Sequence, residues 1–96
     1  MRVEIIRGPA RVNLVALQDA GQSAMDEFYR IAREMWKDDT QRFQKLAEDQ
    51  GLVFTTGVEA RAESLKTAIV SIYLDIEDDA KAIYFKLSYE PLIHKE

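Results

Sequence analysis

The sequence predicts a single α+β domain: a long or broken helix in the N-terminal half, packed on a small antiparallel sheet with a C-terminal β-hairpin. Two patterns carry this prediction. Between residues 23 and 50 apolar side chains recur at helical spacing, and in the last third they alternate with polar ones at period two. A third observation bounds it. At 96 residues, 47% hydrophobic and 31% charged, the chain suffices for one core and one domain, residues 1–96.

The chain opens with Val3, Ile5 and Ile6, which predict a strand, and Gly8-Pro9 marks a turn or bend. Val12, Leu14, Val15 and Leu17 follow, as a second strand or as the approach to the helix. Asp19 with Gln22, or Ser23 with Asp26, supplies capping chemistry at the helix start. Met25, Phe28, Tyr29, Ala32, Met35, Trp36, Phe43, Leu46 and Ala47 then form one apolar stripe, and the opposite face is charged. Asp26–Arg30 and Asp38–Arg42 place acid before base four residues apart, the favourable order on a helix. Gly51 stops the helix, with Leu52 making the hydrophobic contact of a Schellman motif.

An unbroken helix over residues 23–50 would be about 42 Å long. A domain of this size has a radius of gyration of roughly 12–13 Å. The helix therefore breaks or finds a further surface, and Asp38-Asp39-Thr40 is the expected break because Asp39 falls inside the apolar stripe. Beyond it, 52–54 reads as a short strand, Thr55-Thr56-Gly57 as a turn, and 58–65 as a short helix or loop. The hairpin follows. Val70, Ile72, Leu74 and Ile76 alternate with Ser71, Tyr73 and Asp75; Ile83, Phe85, Leu87 and Tyr89 alternate with Tyr84, Lys86 and Ser88. Glu77-Asp78-Asp79-Ala80 is the expected connecting turn, and Pro91 the end of the last strand.

Composition narrows the function classes. A net charge of −4 disfavours direct nucleic-acid binding through overall attraction. Arg2, Arg7 and Arg11 lie close in sequence, opposed only by Glu4, and read as solvated strand ends. The absence of cysteine excludes thiol chemistry and leans towards a reducing cytoplasm. No run approaches the ~20 apolar residues of a membrane span. The single histidine, His94, has no partner histidine for a metal site, and the dispersed glycines form no phosphate loop. The expectation is no enzyme, no metal and no cofactor. Asp75, Glu77, Asp78 and Asp79 lack the alternating ligands and the glycine of a calcium loop, and read as a solvated turn.

The residues left over point to protein contacts. The candidate interface is Ile31, off the apolar stripe among charges; Trp36, on the stripe; Ile69, Tyr73 and Tyr84, on the second face of the expected hairpin; and Tyr89 and His94 near the end. Leu65-Lys66-Thr67-Ala68-Ile69, followed by Tyr89-Glu90-Pro91-Leu92-Ile93-His94-Lys95-Glu96, resembles the small tail-completion and minor head–tail proteins of long-tailed phages. Those have a Leu-x-x-Ser-Ile segment opening a β-hairpin and then a Tyr-Ala-x-x-x-His-Glu-like segment. Ala68 stands here for the serine, Glu63-Ser64 for the usual Thr-Gly, and the similarity covers about a third of the chain.

The resemblance implies a non-enzymatic virion subunit, assembled in the host cytoplasm as a ring or collar at the neck or tail beside neighbouring structural proteins, without cofactor; the overlong helix and the two-sided hairpin suit such a homo-oligomer and equally a dimer. Two alternatives stand beside it. One is a small acidic binding or regulatory protein that inhibits a host protein through its charge and the Glu77–Asp79 turn. The other is an enzyme whose site forms only between subunits.

Overall fold

The computed structural model describes residues 1–11, 22–64 and 66–94. Its elements are β1 (Arg2–Arg11), α1 (Gln22–Met35), α2 (Lys37–Asp49), β2 (Phe54–Ala62), β3 (Thr67–Ile76), α3 (Asp79–Ser88) and β4 (Leu92–Ile93). One mixed four-stranded sheet has the order β2-β3-β1-β4; β1 and β2 run antiparallel to β3, and β4 runs parallel to β1. The extended run expected at Val12–Leu17, the cap expected at Asp19, and Leu65 lie outside the described residues.

This overturns the expected architecture of one long or broken helix on a sheet ending in a hairpin. A long strand opens the chain, the helices are short, and the segment read as the second hairpin strand is α3. The β-hairpin is instead β2–β3, in uninterrupted register from Phe54↔Ile76 to Ala62↔Ala68. That register also replaces the turn expected at Thr55-Thr56-Gly57 and the helix or loop expected from Val58 onward. Thr67–Ile76 is a strand, as its alternation predicts, and its even-numbered positions from Ala68 to Ile76 are all buried.

The sheet has two unlike faces. Val3, Ile6, Gly8 and Ala10 of β1 lie opposite Leu74, Ile72, Val70 and Ala68 of β3 and are buried with them. A bulge between Glu4 and Ile6 adds one residue to β1. The consecutive Ile5 and Ile6 are thereby both buried without upsetting the alternation on either side. Ala32, Trp36, Phe43, Ala47, Leu52, Ala82 and Phe85 complete one core, with no polar side chain buried among the described residues. Each large aliphatic or phenyl group withdrawn from water contributes about 1.5–3 kcal/mol.

The helical zone divides at Trp36, two residues before the expected break. Trp36 has φ −119° and ψ 29°, outside helical geometry, yet its carbonyl accepts from Thr40 N–H at 2.9 Å. Asp38 and Asp39 lie in the first turn of α2, where the helix dipole favours anions. The acidic pair opens a helix instead of interrupting one. The stop at Gly51 follows the Schellman pattern: Gly51 has φ 71°, its N–H bonds Glu48 O at 2.9 Å, and Leu52 N–H bonds Ala47 O at 3.1 Å. Leu52 and Ala47 are both buried in the core.

Candidate functional site

Among the described residues, α3 carries three exposed large apolar side chains, more than any other element. Asp78 caps it by accepting a hydrogen bond from Lys81 N–H at 3.1 Å; Asp79 occupies its first turn and Lys86 its last. Ala82 and Phe85 face the core, and Tyr89, just past the helix, packs on Phe85 with ring centroids 5.0 Å apart. Ala80, Ile83, Tyr84 and Leu87, at helical spacing i, i+3, i+4 and i+7, lie on the opposite side. Ile83, Tyr84 and Leu87 are 49%, 67% and 82% exposed. Beside this stripe a groove of about 580 Å³ is lined by Gln50, Leu52, Ala80, Lys81 and Tyr84.

Apolar residues on both sides of α3 explain why its sequence alternates like a strand. Ile83 and Leu87 belong to the outer stripe, Phe85 and Tyr89 to the inner one, and reading every second residue merges the two. The capping pattern Asp78-Asp79-Ala80 was the available signal for a helix.

The seven expected interface residues do not converge. Tyr84 is on the α3 stripe, and Ile31 is an exposed residue of α1. Trp36 is buried and stacks on His94, centroids 5.7 Å apart. His94 N–H also donates to Arg7 O at 2.8 Å, which fastens the chain end beside β1. The Tyr89 hydroxyl accepts from Gln50 Nε2 at 3.1 Å.

Ile69 and Tyr73 lie on the sheet face turned away from the helices. Tyr73 does not oppose Tyr84; it lies over its cross-strand partner Gly57, with the Arg2 guanidinium 4.4 Å from its ring centroid. Arg2 pairs with Glu59, Arg7 with Glu4, and Glu4 also accepts from Ser71 Oγ. This face is polar and cross-linked to itself around a hollow of about 300 Å³.

The acidic turn is likewise engaged. The Met1 amine lies 3.2 Å from Asp75 and 3.4 Å from Asp79, and the hydrogen bond to Asp75 does most to raise its pKa above the ordinary 8.0. Among the described residues no group of three or more His, Asp or Glu is placed to hold a metal ion. No described helix is long and apolar enough to cross a membrane. Compared with models of known families, with curated proteins and with solved structures, the chain matches none.

Proposed function

We propose that the chain is a non-enzymatic assembly subunit that associates with copies of itself through the outer face of α3. The carrying observation is the stripe of Ile83, Tyr84 and Leu87, held in water on a helix whose other side already fills the core. A helix that is apolar on both sides is ordinarily covered on both, and contiguous exposed apolar surface marks contact sites. A phage-like particle is the assembly that the resemblance of residues 65–69 and 89–96 points to. It draws its support from those residues alone, since the hairpin that accompanies them in the phage proteins is here a strand followed by a helix. The alternative of an acidic inhibitor draws less support. Asp78 is spent on capping α3, and Asp79 and Asp75 on the Met1 amine.

Mass in solution, by light scattering after size exclusion over a hundredfold concentration range, tests this. The wild-type chain is expected to associate as concentration rises, and Leu87→Asp to lower its mass while leaving helix content unchanged. A monomer throughout, or a mass indifferent to Leu87→Asp, would overturn the reading.

A further inference from the structure

The two edges of the sheet are finished differently. On one side β4 contributes two residues directly after Pro91, and a strand so short, preceded by proline, offers little to a neighbour. On the other side β2 is nine residues long, in unbroken register with β3, without proline, lysine or bulge. Among the described residues nothing pairs with its outer edge. An edge of that length presents N–H and C=O groups at alternate residues, a template for another strand.

The side chains of β2 specify which strand. Glu59 and Arg61 lie two apart, on the sheet face away from the helices. In an antiparallel pairing of β2 with its own copy about a two-fold axis at Ala60, Glu59 lies opposite Arg61 of the copy, and Arg61 opposite its Glu59. On the other face Ala60 meets itself and Val58 meets Ala62, all small enough to leave the edge clear. Directly opposed opposite charges stabilise such a ladder, and like charges disrupt it. Arg61 has no acidic partner among the described residues, so it gains one by pairing, while Glu59 bonds Arg2 within the chain.

We infer that the β2 edge is a second self-association surface, joining two copies into a continuous eight-stranded sheet in the order β4-β1-β3-β2-β2-β3-β1-β4. The inference rests on the assembly reading but uses a different surface. One contact through α3 and one through β2 give each copy two independent joints, which is what an oligomer larger than a dimer requires.

The test isolates the edge. In the Leu87→Asp background, which removes the α3 contact, light scattering is expected to show a dimer. Adding Arg61→Glu should weaken that dimer at least tenfold, and adding Glu59→Arg to it should restore pairing by exchanging the charges across the axis. Ala60→Cys, in a chain with no other cysteine, should form a disulfide-linked dimer under mild oxidation, and Ala62→Cys should not. If Leu87→Asp gives a monomer where the wild-type chain associates, the edge inference fails and the α3 reading stands. If a dimer persists through Arg61→Glu and Ala60→Cys forms no cross-link, the β2 pairing is wrong.

Discussion

Two glycines show how much depends on single positions. A Cβ at Gly8 would come within 2.8 Å of the Trp36 ring and 3.0 Å of His94 Cβ, both held in place by neighbours. A Cβ at Gly57 would come still closer, 2.3 Å, but to the outer end of the Tyr73 ring on the open face of the sheet. Tyr73 is half-buried and can swing away about two torsions; Trp36 is enclosed by the core. The nominally worse clash should therefore be the cheaper one. Gly8→Ala is expected to cost about 1–3 kcal/mol as overpacking, and Gly57→Ala less than half of that. Urea unfolding of both variants checks the order, and the reverse order would mean that Tyr73 is pinned more firmly than its exposure indicates. Sequence showed Gly8 as a turn signal and Trp36 as a member of a helical stripe. Nothing in the spacing brings residues 8, 36 and 94 together, because that contact is made by sheet order.

Among the elements, β3, with every second residue buried, was legible; β1 was legible only up to the turn expected at Gly8-Pro9, and β2 and the helix with two apolar faces were not. Thr67–Ile76 buries every second residue, so its period shows its structure. The same reasoning fails on α3 because Ile83 and Leu87 alternate with Ser88 and Lys86 only by chance of having apolar groups on both helix sides. Two acidic pairs were misread for one reason, the first only by two residues, since the helical zone does divide, at Trp36. Asp38-Asp39 and Asp78-Asp79 look like interruptions in apolar patterns, yet each lies at the start of a helix, where capping and the dipole favour them. The α3 phase makes a sharp prediction. Were 82–89 a strand, Ile83, Phe85 and Leu87 would share one buried face and their truncations would cost alike. On α3, in chains dilute enough to be monomeric, Phe85→Ala should cost about 3–5 kcal/mol, whereas Leu87→Ser, at a largely exposed position, should lie within about 0.5 kcal/mol of the parent. Asp78→Ala should cost about 1 kcal/mol through the lost cap. Equal losses at Phe85 and Leu87 in chemical denaturation would return the segment to the sheet. The candidate contact face was legible only in part: Tyr84 stood out as an aromatic without a core role, but Ile83 and Leu87 were hidden by being assigned to the core.

For the whole molecule, the decisive feature is that its first strand is interior to the sheet. β1 is bonded on one side by β3, more than fifty residues later, and on the other by β4 at residues 92–93. The second edge of β1 is thus closed only at Ile6 and Arg7, by the last described strand. Trp36, the single tryptophan, reports on that closure, since His94, the residue after β4, stacks on it. Removing residues 90–96 should expose the indole and shift its emission to the red. It should also cost about 1–3 kcal/mol, from the partly buried Leu92 and the lost strand pairing, which in a domain of this size lowers the midpoint by several degrees. His94→Ala should give the emission change with a smaller loss of stability, because β4 remains. The truncated chain should aggregate more readily, as β1 then joins β2 in presenting an unpaired edge. An emission maximum unmoved by truncation would show that other residues shield Trp36. Unchanged stability would mean that β1 is held by β3 alone, making the two-residue strand a cover for the sheet edge and no part of what fastens the fold.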